Sequence, residues 1–224
     1  MKKSFILSIT FLALALCSFG QSFNLSVVAG ANYATFYPDQ QFYEIPSHSG
    51  STGYQAGLLA AFTRGRLSIQ TGAIYEQFAS TGSYTATGQF GGSSGTQNFT
   101  VHYLQVPVNF LYITPTGFGH IFLGGGPYVS FGLSGNIQGA TTFYSSVGPI
   151  TSIVNTPYQF NSQTDNPDFG VKAIIGIALK NNFLLNLSFD HGIRYMFNGK
   201  DNYDNGELGL KNDVVSLSVG YSFF

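Results

Sequence analysis

Ten carboxylates, nine basic side chains, four histidines and one cysteine are the ionisable groups this 224-residue chain offers, beside its tyrosines, for acid–base or metal chemistry. The histidines are His48, His102, His120 and His191, and no two have metal-ligand spacing. Asp190 and His191 suggest a catalytic pair, but adjacent strand residues point to opposite faces and cannot act together. The acidic stretch Asp201 to Glu207 fails as a calcium loop: Tyr203 occupies a slot needing Asp or Asn, and Asn212 stands where the bidentate Glu belongs. Gly124-Gly125-Gly126 is flanked by strand and not by a helix, so it is no phosphate cradle but a place for close strand packing. No catalytic, metal or cofactor site is expected.

The remaining charged residues fall into a pattern. Glu76, Asp168, Lys172, Asp190 and Arg194, with Arg66, Gln70 and Gln105, share one strand parity with Ser, Gly and Asn, while the opposite parity is apolar. Opposite charges enclosed together must pair, because an unpaired buried charge costs several kcal/mol, roughly 3–5. These residues are expected to form a polar network inside a barrel.

Composition requires such an architecture. Charged residues are 8 % of the chain, against about 25 % in ordinary soluble domains. Aromatics are 16 %, all Phe and Tyr, and glycines number 28. The longest internal apolar run, Val171 to Leu179, is about half of the roughly 20 residues a membrane helix needs. Only helices and closed barrels satisfy every backbone group in lipid, so a barrel is expected. With net charge near zero and no basic stripe, nucleic acid is excluded as a partner. A soluble ligand-holding barrel would need a charged exterior, for which there is almost no Lys or Glu.

Period-2 alternation recurs eight times, near 23–35, 53–63, 66–78, 99–113, 118–134, 168–179, 182–195 and 213–223. The connections alternate long and short. The long ones are 36–52, 79–98, 135–167 and 196–212, and Gly82 to Gln97 reads as a mobile loop. The short ones centre on Arg64-Gly65, Pro115-Thr116-Gly117 and Asn181-Asn182. Outer-membrane barrels have short periplasmic turns and long outer loops. The expected fold is thus all-β, an eight-stranded antiparallel up-and-down transmembrane barrel with both termini periplasmic. Expected girdles are Tyr33, Tyr54, Tyr75, Tyr103 and Tyr195 at the outer rim, and Phe23, Phe62, Tyr112, Phe183, Tyr221 and Phe223 at the periplasmic rim. Pro107 lies within a strand and implies a bulge.

Residues 1–20 read as a cleaved signal peptide: Lys2 and Lys3, an apolar run from Phe5 to Leu16, then Ser18 and Gly20 before the cut. The cut removes Cys17 and leaves residues 21–224 as the barrel domain. Nine basic residues less Lys2 and Lys3 leave seven against ten acidic, a net charge of −3.

Three segments carry a family likeness. Tyr103-Leu104-Gln105-Val106-Pro107-Val108, then Phe122-Leu123-Gly124-Gly125-Gly126-Pro127-Tyr128, then Asp168-Phe169-Gly170 resemble the PorT-like outer-membrane β-barrel domain family. The resemblance implies an integral outer-membrane location in a Bacteroidota-type bacterium. PorT itself is tied to protein secretion, a role that no residue here carries over. The expected partners are outer-membrane lipid and envelope or secretion proteins. The expected function is structural or surface interaction through the outer loops, with an accessory role in envelope assembly or secretion as the alternative and a barrel enzyme third.

Overall fold

The computed structural model describes residues 22–38, 47–88, 91–145, 148–158, 160, 166–193, 199–200, 207–208 and 210–223. The expected signal peptide, Tyr195, Arg194 and most of the acidic stretch 201–207 lie outside these residues. The strands are β1 (Ser22–Pro38), β2 (Ser47–Arg64), β3 (Leu67–Gly88), β4 (Gly91–Thr116), β5 (Gly119–Ser145), β6 (Gly148–Tyr158), β7 (Asp168–Leu179), β8 (Phe183–Gly192), β9 (Gly199–Lys200), β10 (Glu207–Leu208) and β11 (Leu210–Ser222).

Eight of them close a ring. Antiparallel neighbours run β1-β2-β3-β4-β5-β7-β8-β11, and β11 pairs back onto β1 from Ser26↔Ser222 outward. The ring arises from residues that favour a pleated surface, β-branched and aromatic, placed every second position. Closure leaves no edge within the ring, so its backbone groups are paired strand to strand, as lipid requires. At the short turns, Gly65 and Asn182 take positive φ of 62° and 68°, the left-handed conformation that Gly and Asn reach most easily.

The side-chain pattern is inverted relative to a soluble protein. Along β7 the buried residues are Asp168, Gly170, Lys172, Ile174 and Gly176, while Phe169, Val171, Ala173 and Ile175 are exposed. β8 alternates the same way, with Asn186, Ser188 and Asp190 buried and Leu185, Leu187 and Phe189 exposed. The exposed apolar side chains form the surface that faces lipid. At the short-turn end of the ring Phe23 meets Phe62 at 5.1 Å, Phe183 meets Tyr221 at 5.6 Å and Tyr221 meets Phe223 at 5.7 Å.

Three expectations are corrected. Tyr103 is not in the outer girdle but buried in the lumen, opposite Glu76, because it shares the inward parity of Gln105. In its place His102 stacks on Tyr75 at 5.7 Å and shares a 2.8 Å hydrogen bond with the Tyr75 hydroxyl. Pro107 makes no bulge: the β3–β4 register is the same at Thr71↔Val108 and Ile74↔Gln105, and the Thr71 hydroxyl donates to the Pro107 carbonyl at 2.8 Å. The β4–β5 bulge lies farther out, where Leu133 is the extra residue between His102↔Ser134 and Tyr103↔Gly132.

The third correction concerns the loops. β7 and β8 have 12 and 10 residues, close to the 9–11 a spanning strand needs, whereas β3, β4 and β5 have 22, 26 and 27. The excess carries these strands past the ring at the end opposite the short turns. There Gly82 to Gln97 is no loop but a hairpin, paired down to Gly88↔Gly91. The connection 135–167 likewise holds the end of β5 and all of β6, paired from Gly135↔Tyr158 to Ser145↔Gly148. Strands β3 to β6 thus form a four-stranded blade projecting from the barrel.

Candidate functional site

The lumen is where sequence parity gathers the charged residues. Lys172 and Asp190 face each other in register across β7 and β8, with Nζ to Oδ2 at 3.0 Å and both side chains buried. Gln105 on β4 links them to the opposite wall: its Nε2 donates to Asp190 Oδ2 at 3.1 Å and to Glu76 Oε2 on β3 at 3.2 Å. Glu76 is 0 % exposed. The network Glu76–Gln105–Asp190–Lys172 is therefore a septum across the barrel. Asp168, also buried, stands opposite Ser130 on the outer side of Lys172. Asn109 donates to Gln70 at 3.2 Å just below. Arg66 does not join the lumen: it lies in the β2–β3 turn, exposed, and Nη1 donates to the Tyr112 hydroxyl at 3.1 Å.

Apolar layers lie on both sides of the septum. On the outer side Ala34, Phe78, Val101, Tyr103, Phe160 and Val214 pack together. Phe160 comes from the segment after β6, and a Cβ on Gly132 would collide with its ring, so glycine is what admits it. Asn166 fastens the same spot, donating to the Gly132 carbonyl and accepting from its N–H. On the side of the short turns Leu111, Phe122 and Ile174 pack together. Below them a vestibule of about 640 Å³ opens at the short-turn end, with Asn24, Ser26, His120, Lys180 and Asn182 in its wall. Phe160 was beyond sequence reasoning, because it sits in a connection without periodicity.

Chemistry outside the lumen is sparse. His191 Nδ1 and Asp213 Oδ1 are 2.6 Å apart across β8 and β11 on the exposed face. Among the described residues no three His, Cys, Asp or Glu side chains cluster to hold a metal.

The blade is distinctive by its composition. Residues 79–101 and 135–158 contain no Asp, Glu, Lys or Arg. Its base is seated on the outer apolar layer through Phe99 and Ile137. Cross-strand polar contacts stiffen it: Thr81 to Asn98 at 2.9 Å, Thr142 to Thr151 at 3.0 Å and Ser94 to Tyr144 at 3.3 Å. Phe143, Tyr144, Ile150 and Ile153 remain exposed on it, Ile153 at 83 %.

A closed antiparallel ring, apolar outside and polar inside, defines an integral membrane β-barrel. The chain belongs to the outer membrane protein beta-barrel domain family, whose model matches residues 19–198. It is an integral protein of the outer membrane. Among solved structures it is similar to Ail, the attachment invasion locus protein of Yersinia pestis, in complex with the heparin analogue sucrose octasulfate, at 13 % identity. That match covers 90 % of this chain and 99 % of that one, with a TM-score of 0.41. It is also similar to Neisserial surface protein A, at 15 % identity, 91 % and 99 % coverage and a TM-score of 0.40. A third is OprG from Pseudomonas aeruginosa, at 14 % identity, 91 % and 97 % coverage and a TM-score of 0.39. No curated protein matches the chain.

Proposed function

We propose that the protein is a surface-contact barrel whose ring is an anchor and whose blade is the binding element. The observation that carries this reading is the uncharged four-stranded extension with Phe143, Tyr144, Ile150 and Ile153 exposed to water. Phe143 and Ile150 pair in register on one face of the blade, and Tyr144 and Ile153 lie on the other. Apolar groups gathered beyond the membrane mark interaction sites, since solvent alone does not favour them. The blade is held by the outer apolar layer, so it presents these groups on a rigid element. The test is photo-crosslinking in intact cells from a reactive side chain at position 153, with position 219 on the lipid face as control. The expected result is one discrete protein adduct at 153 and none at 219. Adducts with no discrete band at 153 would refute the reading.

A second reading, an accessory role in envelope assembly or secretion of the PorT-like kind, is favoured by the vestibule open toward the periplasm. Deleting the gene and comparing secreted proteins with those of a strain expressing a barrel whose blade hairpins are replaced by short turns separates the two. Secretion lost in the first and kept in the second supports this reading; unchanged secretion in both removes it.

A further inference from the structure

The periplasmic rim is charged in one sense only. Its described residues, 22–29, 57–74, 111–124, 176–186 and 218–223, contain no Asp or Glu, whereas Arg64, Arg66 and Lys180 all lie there. The two arginines flank Gly65 in one tight turn. Arg66 is fixed in place, because Ile113 on β4 donates its N–H to the Arg66 carbonyl at 2.8 Å. The Arg66 guanidinium spends one donor on the Tyr112 hydroxyl, and a guanidinium has five.

Directly above this pair the lipid face is concave. A groove of about 820 Å³ begins at Arg64 and Tyr112 and runs between Leu67, Ile69, Phe110 and Leu123 toward Thr71. The small Thr71 keeps its hydroxyl turned to the Pro107 carbonyl, so the groove is apolar along its length. From Leu67 to Thr71 is four residue steps, about 13 Å of strand. With strands tilted about 40°, that is roughly 10 Å along the membrane normal, close to one leaflet of a barrel's ~25 Å apolar band. Cation at the interface, apolar slot one leaflet deep, and no competing acidic side chain among the described residues describe the complement of one kind of molecule.

We propose that Arg64, Arg66 and Tyr112 bind the headgroup of an anionic phospholipid of the periplasmic leaflet, with an acyl chain in the groove between β3 and β4. The phosphate accepts from the free guanidinium donors, a charge-assisted contact stronger than a neutral one. A zwitterionic phospholipid fills the same groove but brings an ammonium to a rim whose described residues offer it no acidic side chain.

The chain contains no tryptophan, so one introduced indole reports alone. The full-length mature barrel carrying Ile69→Trp is refolded into phosphatidylcholine vesicles containing brominated phosphatidylglycerol or, separately, brominated phosphatidylcholine. Val219→Trp on the opposite wall is the control. The expected result is about tenfold preferential quenching of the indole at position 69 by the anionic lipid, little preference at position 219, and loss of the preference at high salt. Arg64→Gln with Arg66→Gln should abolish the preference, and Lys180→Gln should retain it. If the double variant does not refold, the salt series and the comparison of positions 69 and 219 decide alone. Equal quenching by both lipids, an equal anionic preference at position 219, or a preference surviving the double substitution overturns the site. Its displacement by inorganic phosphate alone would make it a phosphate site and equally overturn the lipid assignment.

Discussion

Among the described residues Lys172 is the only cation in the septum, and it holds its place by an ion pair with Asp190, which also accepts from Gln105. Removing the ammonium leaves Asp190 without its partner inside the barrel, whereas removing both charges leaves neither member of the pair alone. Lys172→Met should therefore destabilise the refolded barrel by roughly 3–5 kcal/mol, the range for a buried charge left without its partner. Lys172→Met with Asp190→Asn should recover much of that loss, and the coupling is read as a double-mutant cycle in urea from lipid vesicles. Strictly additive losses would show that the pair carries no coupling. Parity alone placed Glu76, Asp168, Lys172 and Asp190 on the inward face, because a period of two leaves no freedom within a strand. It could not say which carboxylate Lys172 chooses. That depends on inter-strand register, which sets Lys172 opposite Asp190 and Asp168 opposite Ser130. Arg66 shows where parity stops: one step outside the strand, the turn swings its side chain outward to Tyr112.

At the scale of the strand, the same period makes neighbouring residues answer to different solvents. Leu187 faces lipid in register with Ile175 and Leu217, while Ser188 is buried opposite Ile174 and Ser216. An arginine near the middle of the lipid face costs roughly 2–4 kcal/mol. Leu187→Arg should lose about that much stability, and Ser188→Arg should fail differently, by crowding a filled lumen. Equal urea midpoints for the two would contradict the orientation of β8. Alternation made the eight ring strands legible because each has one face in lipid and one in the lumen. The blade strands escaped the same reading. Ser80 to Gly88 and Gly91 to Thr100 are mostly Ser, Thr and Gly, so neither face is apolar enough to betray a period. A segment of that composition reads as a loop although it is paired throughout. Shortening both blade hairpins to tight turns should accordingly leave the ring intact. The check is an unchanged heat-dependent gel shift of the refolded barrel.

The whole molecule closes its own axis twice. The septum of Glu76, Gln105, Asp190 and Lys172 joins β3, β4, β7 and β8 by hydrogen bonds, and the outer apolar layer around Phe160 covers it. Eight strands enclose an interior just wide enough for side chains to fill, so each barrier alone suffices to exclude an ion path. Phe160 differs from its neighbours in that no ring strand carries it. Phe160→Ala should therefore cost less than the roughly 3–5 kcal/mol of a fully enclosed aromatic, since the space it leaves opens toward the outside rather than becoming a sealed void. It should also leave the septum untouched. The expected outcome is a barrel that refolds and stays silent in planar bilayers, as the unaltered protein should. Phe160→Ala together with Gln105→Ala breaches both layers, because Gln105 is the side chain that bridges the two walls. That variant should give brief, cation-favouring openings, the lumen then being lined by Glu76, Asp168 and Asp190 against Lys172. Steady conductance from the unaltered protein would refute the closed axis. Conductance from Phe160→Ala alone would show that the septum is no barrier, and that the outer layer is the only seal.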